Sequence, residues 1–277
     1  MAATARLSGQ VYLVTGATDG IGAHTARKLA SQGATVLVHG RSEARVQQAV
    51  QEVTAAGSAS GGAARGYVQD FASLAAVRQL ASDVRRDFPR GITALVNNAG
   101  VYETQLRKSE DGLEMTFAVN VAAPFLLTAC LLGAVQKRIV NVASISAASS
   151  IDFENLQQER GYSAHGAYAL SKLADILFTY ELADRLRAAG SPLTANCLDP
   201  GTVNTKMLFA GWGPIGMRVQ DANDEFNAVT DPTLDTVSGA YFVGSRQTRS
   251  PAISYDKGVQ RRLWGVLEAQ TGARWDI

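Results

Sequence analysis

The chain has few of the residues that build disulfide frameworks or metal centres. Its 277 residues include two cysteines and three histidines. Cys130 and Cys197 both lie in apolar runs, which is typical of buried thiols. His24 and His39 have no partner at the spacing of metal ligands. We therefore predict no disulfide and no bound metal, in agreement with a reducing compartment.

Net charge and targeting signals are also scarce. Lysine and arginine number 26 against 25 acidic residues, which gives a formal net charge of +1. This balance offers no electrostatic reason to expect nucleic acid or an anionic membrane surface as a partner. The first ten residues, MAATARLSGQ, lack a charged stretch followed by an apolar one, so we expect a cytoplasmic protein.

One stretch is long and apolar enough to be tested as a membrane span. No charged residue occurs between Glu114 and Lys137, and a run of that length can cross a bilayer. The stretch contains Asn120 and Pro124, and it lacks basic residues clustered on one side. We therefore predict a helix buried in the protein, bent near Pro124, and no transmembrane segment.

Apolar, β-branched runs alternate with helix-like segments through the first 200 residues. The predicted strands are 10–15, 34–38, 65–68, 92–96, 138–143 and 193–198, and the predicted helices are 20–32, 43–56, 73–88, 111–136 and 166–189. The strands are almost continuously apolar, which indicates burial on both faces. The alternation predicts an α/β fold: one Rossmann-type domain over residues 1–277, in which a doubly wound parallel sheet of about seven strands carries helices on both faces.

The last quarter of the chain departs from this alternation. Residues 201–232 are irregular and long for a connection, which is typical of a functional loop, and we assign them to substrate binding. A short helix near Leu234–Gly244, a last strand near Pro251–Ser254 and a helix from about Lys257 to Gln270 are predicted to follow. Residues from about 250 to 277 would form a C-terminal extension.

A glycine-rich turn joins the first predicted strand to the first helix. The stretch TGATDGIG, residues 15–22, has glycines at positions 16, 20 and 22. Such a turn lets a diphosphate approach the backbone amides at the start of a helix. At the end of the second strand, Arg41 stands where an NAD-preferring site carries an acid, so NADP(H) is favoured and NAD(H) is the alternative.

Polar or small residues also follow the third and fourth predicted strands. Asp70 and Phe71 come after the third strand, where an acidic side chain can reach an adenine amino group. Asn98, Ala99 and Gly100 come after the fourth, where small residues suit a backbone packed against a ribose. Because open α/β sheets bind ligands at the carboxyl ends of their strands, these residues are candidate cofactor contacts.

A tyrosine and a lysine provide the candidate acid-base chemistry. Tyr168 and Lys172 are four residues apart on one predicted helix and project from the same face. An ammonium group beside a phenol favours the phenolate and lowers the pKa of the phenol toward the useful range. Ser144 follows the fifth strand, so its hydroxyl and the phenol can meet over one substrate oxygen, and Asn120 lies in the preceding long helix.

Together these motifs resemble the short-chain dehydrogenase/reductase family from about residue 9 to residue 205. The resemblance rests on TGATDGIG, Asp70, NNAG at 97–100, Asn120, Ser144, Tyr168-x-x-x-Lys172 and the stretch DPGTVNT at 199–205. Within the family, the insert at 150–165, the run SKLADILFTYELADRL and the tail SYDKGVQRRLW are most similar to retinol dehydrogenases and protochlorophyllide reductase. Asp199 departs from the pattern, since the retinol-type relatives often have histidine before Pro-Gly.

The resemblance implies a role for each matched residue. Tyr168 would donate the proton in carbonyl reduction and accept it in alcohol oxidation, while Lys172 lowers its pKa and binds the nicotinamide ribose. Ser144 would hold the substrate oxygen, and Asn120 would support a water relay. The implied cofactor-binding residues are Gly16, Thr18, Asp19, Gly20, Ile21, Gly22, Arg41, Asp70, Phe71, Asn98, Ala99, Gly100, Tyr168, Lys172, Pro200, Gly201, Val203 and Thr205.

We therefore predict an NADP(H)-dependent oxidoreductase that interconverts a carbonyl compound and its alcohol. The apolar residues of segment 206–231 predict either a lid over a lipophilic small-molecule substrate or packing in the core or an interface: Met207, Phe209, Trp212, Ile215 and Met217. Reduction of an activated C=C bond and a non-catalytic redox sensor stay open as alternatives. Helices 111–136 and 166–189 form a dimer interface in many family members, so a homodimer or larger homo-oligomer is also open, unless the tail covers that surface.

Overall fold

A computed structural model describes residues 6–277, and these residues build one mixed sheet of eight strands. The strand order is β3-β2-β1-β4-β5-β6-β7-β8, with parallel pairing up to β7 and antiparallel pairing of β7 with β8. The strands are β1 Val11–Val14, β2 Thr35–Gly40, β3 Ala63–Val68, β4 Ile92–Asn97, β5 Val135–Val142, β6 Thr194–Asp199, β7 Tyr241–Val243 and β8 Arg246–Thr248. The predicted doubly wound α/β fold is confirmed.

Helices cover both faces of the sheet. They are α1 Gly20–Ser31, α2 Glu43–Gly57, α3 Leu74–Asp87, α4 Met115–Phe117, α5 Ala123–Leu131, α6 Ala164–Ala188, α7 Lys206–Gly211, α8 Asp224–Thr230 and α9 Lys257–Thr271. Side chains alternate across each strand. On β1, Leu13 therefore joins a core with α3, α5, α6 and α9, whereas Val14 joins a second core with α1, α2 and α8.

The long apolar segment is a composite helix rather than one bent α-helix over 111–136. Helix α4 begins at Met115, a π-turn spans Ala118–Ala122, α5 follows, and Leu132–Ala134 close it as a 3-10 turn. In the π-turn the Ala123 amide donates to the Ala118 carbonyl. The wider turn precedes Pro124, which has no amide with which to continue the α pattern. Residues 135 and 136, predicted to be helical, begin β5 instead.

Among the described residues, this composite helix is also the one helix that is long and apolar enough to cross a membrane. Met115–Ala134 has a mean hydropathy of 1.9, and 78% of that window is buried inside the structure. Its apolar side chains pack in the core with α3 and α6. The absence of a transmembrane segment stays a prediction.

The end of the chain differs from the sequence-based prediction. No α-helix forms near Leu234–Gly244, where a 3-10 turn over Pro232–Leu234 is followed by β7, and no strand forms at Pro251–Ser254, within the part of the chain that the structure describes. Instead, β7 and β8 form a hairpin, and Ala252–Tyr255 is a 3-10 turn. Gly244 and Ser245 both have positive φ, 56° and 60°, as the tight turn of a β-hairpin requires. Segment 201–232, predicted to be irregular, contains α7 and α8.

Candidate active site

A cleft of about 580 Å³ opens at the carboxyl ends of β1, β2, β4, β5 and β6. Most of the residues singled out in the sequence line it: Gly16, Thr18, Asp19, Gly20, Ile21, Arg41, Asp70, Phe71, Asn98, Ala99, Gly100, Ser144, Tyr168, Lys172, Pro200, Gly201, Val203 and Thr205. Gly22 and Asn120 do not line it. The sheet topology therefore brings residues from seven separate stretches of sequence to one surface.

The glycine-rich turn is held against the end of β4. Thr15 Oγ1 accepts hydrogen bonds from the amides of Asn98 and Ala99, both at 3.0 Å. Asn98 Nδ2 donates to the Thr15 carbonyl at 2.7 Å, so this amide holds the turn. A side chain on Gly22 would collide with Asn98 Nδ2, which makes Gly22 a packing position behind the cleft.

The same turn fits a diphosphate. Gly16 has φ +67°, and a Cβ there would lie 2.8 Å from Ala99 Cα, so only glycine lets the backbone follow this path. Gly20 begins α1 with φ +55°, capped by Asp19 Oδ1, which accepts from its amide at 2.9 Å. The amino end of α1 thus faces the cleft, where the helix dipole and free amides favour an anion.

A buried histidine braces the cleft wall beside this turn. His39 Nε2 lies 3.0 Å from the Gln69 carbonyl, and the Gly16 amide donates to Nδ1 at 3.4 Å. Burial lowers the pKa of His39 to about 4, so the ring is neutral and its Nε2–H donates to Gln69. The ring stacks on Phe71 with centroids 4.3 Å apart. His39 is therefore a structural group rather than a metal ligand.

Two arginines stand at the carboxyl end of β2. Arg41 and Arg45 are both exposed and both line the cleft. Asp70, just after the neighbouring strand β3, also lines the cleft, and its Oδ1 accepts from the Ala72 amide at 2.9 Å. A phosphate group on the adenosine ribose fits a pair of guanidinium groups, whereas two free ribose hydroxyls call for a carboxylate.

The Tyr168 phenol and the Lys172 ammonium form the buried end of the cleft. Ser163 caps α6 and places Tyr168 in its second turn. The Tyr168 residue is 8% exposed, and Lys172 Nζ lies 5.8 Å from the centre of its ring. Burial raises the pKa of Tyr168, while Lys172 and the Ser144 hydroxyl lower it. The net shift is upward, because burial of the phenolate outweighs the lysine that was expected to depress this pKa.

Two hydrogen bonds hold the Lys172 ammonium in place. Its Nζ donates to the Val142 carbonyl at 2.6 Å and to Asp175 Oδ2 at 3.0 Å. Burial lowers the pKa of Lys172, but Asp175 and Tyr168 more than compensate, so the net shift is upward and the ammonium stays charged. The sequence-based reasoning missed Asp175. An acid three residues after the lysine, within the apolar run LADILF, was the available signal.

Asn120 lies behind the cleft in the π-turn and is 2% exposed. Its Oδ1 accepts from the Val101 amide at 2.8 Å, and its Nδ2 donates to the Val101 carbonyl at 3.1 Å and to Ser171 Oγ at 3.0 Å. The side chain therefore fixes the segment after β4 against α6, directly beside Lys172. In this geometry Asn120 positions the site and does not face the cleft.

Ser144 follows β5 on a loop that Asp199 holds. The Asp199 carboxylate accepts from the amides of Ile145 and Gly201, each at 2.8 Å. These two bonds join the serine loop to the Pro200-Gly201 turn, which follows the neighbouring strand β6. Asp199, noted in the sequence as a departure from the family pattern, thus holds together two adjacent loops that line the cleft.

Within segment 206–231, residues from 206 to 215 line the cleft, and Trp212 belongs there to an aromatic cluster whose contacts the sequence did not reveal. The Trp212 ring lies 5.4 Å from Tyr168, 5.2 Å from Tyr102 and 4.9 Å from His165, measured between centroids. The Tyr102 hydroxyl and His165 Nδ1 are 2.8 Å apart. Of the predicted lid residues, Met207, Trp212 and Ile215 line the cleft, whereas Phe209 and Met217 do not.

Comparison with known proteins agrees with this geometry. A family model described as short chain dehydrogenase matches residues 10–210. The chain belongs to the short-chain dehydrogenase family.

Relatives of this short-chain dehydrogenase include retinol dehydrogenase 14 of Mus musculus, 35% identical with 96% of this chain and 87% of that protein covered. Polyprenol dehydrogenase of Homo sapiens is 34% identical, with coverage of 95% and 85%. The expected similarity to retinol dehydrogenases is confirmed.

Solved structures show the same fold. An uncharacterized protein from Mycobacterium paratuberculosis superposes with a TM-score of 0.83 at 29% identity and full coverage of both chains. A short chain dehydrogenase from Burkholderia cenocepacia in complex with NADP gives 0.68 at 27% identity, with 86% of this chain and 97% of that chain covered. Residues 6–277 contain no group of three His, Cys, Asp or Glu side chains able to hold a metal ion.

Proposed function

We propose that this short-chain dehydrogenase is an NADP(H)-dependent oxidoreductase that interconverts a lipophilic carbonyl compound and its alcohol. The observation that carries the proposal is the joint placement of Ser144, Tyr168 and Lys172 in one cleft with a glycine-rich turn. The cleft thus combines an anion site at the start of α1 with an acid-base group at its buried end.

The residues of the turn would hold the cofactor. Gly16 and Gly20 admit a diphosphate to the amino end of α1, and Arg41 and Arg45 supply positive charge for a 2′-phosphate. The neighbour from Burkholderia, described in complex with NADP, supports this choice. When bound, the dinucleotide supplies or accepts the hydride of the reaction.

The chain's own residues carry out the proton transfer. Ser144 is proposed to donate a hydrogen bond to the substrate oxygen, and Tyr168 to give that oxygen its proton in carbonyl reduction. In alcohol oxidation the phenolate takes the proton back, assisted by the charge of Lys172. Asp199 holds the loop that carries Ser144, and Asn120 fixes the segment after β4 against the helix that carries Tyr168 and Lys172. These contacts keep the reacting groups in position.

The substrate class follows from the lid. Met207, Leu208, Trp212 and Ile215 line the cleft beside Tyr168, and an apolar wall of this kind favours an apolar ligand. Relatives named for retinol and polyprenol support a lipophilic alcohol or its carbonyl form.

A substrate panel tests the proposal. Wild type and Tyr168→Phe are assayed with NADPH against lipophilic aldehydes, ketones and enones, and with NADP⁺ against the matching alcohols. We expect turnover of aldehydes or ketones and a loss of about 100-fold or more in Tyr168→Phe, because a positioned acid contributes about that much. Tyr162→Phe is the matched control, since its hydroxyl donates to the Glu103 carbonyl outside the cleft.

Each other result has a distinct meaning. Undiminished turnover in Tyr168→Phe contradicts the mechanism. Reduction of enones at their C=C bond, with aldehydes and ketones untouched, identifies a C=C reductase. Binding of NADPH without turnover of any substrate favours a redox sensor.

A further inference from the structure

We propose that Asp175 is a positioning residue that keeps the Lys172 ammonium protonated and directed at the cleft, an inference that rests on the proposed roles of Tyr168 and Lys172. Lys172 Nζ donates to Asp175 Oδ2 at 3.0 Å and to the Val142 carbonyl at 2.6 Å. An ammonium has three N–H donors. Two are used inside the protein, and the third remains for the cleft that Lys172 lines.

Asp175 lies where a carboxylate is costly. Its side chain is 5% exposed and that of Lys172 is 6% exposed, while its neighbours in α6, Ala174 and Ile176, are fully buried apolar residues. Lys172 is its one ion-pair partner among residues 6–277. Removal of one member of a buried pair leaves the other charge uncompensated, so each of these groups depends on the other to stay ionised.

Asp175 acts on the Tyr168 phenol by two opposing routes. Its negative charge disfavours the phenolate directly, but it also maintains the lysine charge that favours the phenolate. Tyr168 and Asp175 are seven residues apart on α6, about 10 Å along the axis at roughly 1.5 Å per residue. Lys172 Nζ is 5.8 Å from the phenol ring centre. The route through the nearer lysine therefore dominates.

The other titratable groups around the pair are Asp199 and Cys197, both on β6. Asp199 raises the pKa of Lys172 and that of Tyr168. Burial raises the pKa of the Cys197 thiol, which stays neutral. Burial lowers the pKa of Lys172, and Asp175 is the largest influence that raises it. A buried lysine without such a partner can lose its proton near neutral pH.

Asp175→Asn tests this role because it keeps the shape and a hydrogen-bond acceptor but removes the charge. We expect Lys172 to lose its proton more readily and the phenol pKa to rise by about one unit or more. On the acid limb of the pH profile for alcohol oxidation, a rise of one unit in the phenol pKa lowers kcat/KM about tenfold at fixed pH. The phenol is titrated by tyrosinate absorbance, as the difference between each protein and its Tyr168→Phe derivative.

Glu181→Gln is the matched control. Glu181 is a buried acid on the same helix, and its Oε1 accepts from Arg185 Nε at 2.8 Å. We expect this variant to lose some stability and to keep the wild-type phenol pKa. An unchanged or lowered phenol pKa in Asp175→Asn overturns the proposal.

A second comparison separates action through Lys172 from direct action. In a Lys172→Met background, Asp175→Asn should no longer raise the phenol pKa, because only the direct effect of the carboxylate is left to remove. A rise of the same size in that background contradicts the proposal. If Asp175→Asn does not fold, Asp175→Glu retains the charge and should leave the phenol pKa close to wild type; a large upward shift there overturns the role.

The titration does not require turnover, so the two proposals fail separately. A protein that turns over none of the substrates contradicts the proposed function, while the absorbance titration still reports whether Asp175 controls the Tyr168 phenol through Lys172.

Discussion

At the scale of single residues, the two guanidinium groups at the end of β2 determine the expected cofactor preference. Arg41 was found from sequence, whereas Arg45 lies in the first turn of α2 and reaches the cleft only because the helix starts there. We expect Arg41→Ala and Arg45→Ala each to raise the KM for NADPH about tenfold or more, since a charged hydrogen bond contributes about 1.5–3 kcal/mol.

The KM for NADH separates phosphate recognition from general damage. It should stay near wild type in both variants, because NADH lacks the 2′-phosphate. Arg27→Ala is the control, since Arg27 lies on α1 and pairs with Glu52. An equal rise in KM for NADPH and NADH, or no rise for either, would show that these arginines do not bind the 2′-phosphate.

Glu225 makes the stability of the protein depend on pH. It is fully buried in α8, and neither carboxyl oxygen has a hydrogen-bond partner among the described residues. Burial raises the pKa of Glu225 to about 7. The nearby Thr25 hydroxyl lowers this pKa only in part, and it makes no hydrogen bond to the carboxyl group. The folded state therefore holds a proton that the unfolded chain releases near its ordinary pKa of about 4.3.

The sign of the effect follows from this difference. The folded protein binds more protons than the unfolded chain between about pH 4.3 and 7, so stability falls as pH rises through that window and then levels off. Glu225→Gln removes the penalty. We expect the free energy of unfolding of Glu225→Gln to increase relative to that of wild type as pH rises from 5 to 8, by up to about 3 kcal/mol over this range.

Denaturant unfolding at several pH values measures this gain. The exposed Glu52→Gln is the control and should leave the pH dependence unchanged, apart from the small contribution of a surface ion pair. Parallel stability curves for wild type and Glu225→Gln would contradict the assignment of a buried, protonated carboxyl.

At the scale of elements, the sequence predicted what depends on local pattern and missed what depends on distant contacts. The strands up to β6 and helices α1, α2, α3, α6 and α9 follow from apolar runs, caps and glycine stops. The β7–β8 hairpin was missed because its strands have three residues each, which is too short to show an alternation of apolar and polar residues. The π-turn was missed because only the missing amide of Pro124 marks it.

The same contrast holds within the site. Gly16, Tyr168 and Lys172 were identifiable because their spacing along one turn or one helix face is fixed by geometry. The aromatic contacts of Trp212 with Tyr102 and His165 join residues 47 to 110 positions apart, where no spacing rule applies. Asn120 was placed in the site, but the sequence does not show that its side chain turns toward Val101.

At the scale of the whole molecule, the C-terminal helix packs over the surface between α5 and α6. Trp264 on α9 is 1% exposed and contacts the rings of Phe125, Phe178 and Trp275. The guanidinium of Arg185 lies 4.3 Å from its ring centroid. The chain's own tail thus covers apolar surface of the two helices that form a dimer interface in many family members. Removal of this contact tests how much the tail supports the helix that carries Tyr168 and Lys172.

Trp264→Ala should destabilise the protein by about 3–5 kcal/mol, the usual effect of deleting a large buried aromatic side chain. Trp275→Ala is the comparison, since Trp275 belongs to the same cluster but is half-buried, and we expect a loss of about half that size or less. Thermal and denaturant unfolding measure both. Because α9 packs along α6 rather than at the cleft, the folded variants should keep the wild-type KM for NADPH. A small loss of stability in Trp264→Ala would show that the tail is only loosely attached, and a raised KM would show that its packing extends its influence to the cleft.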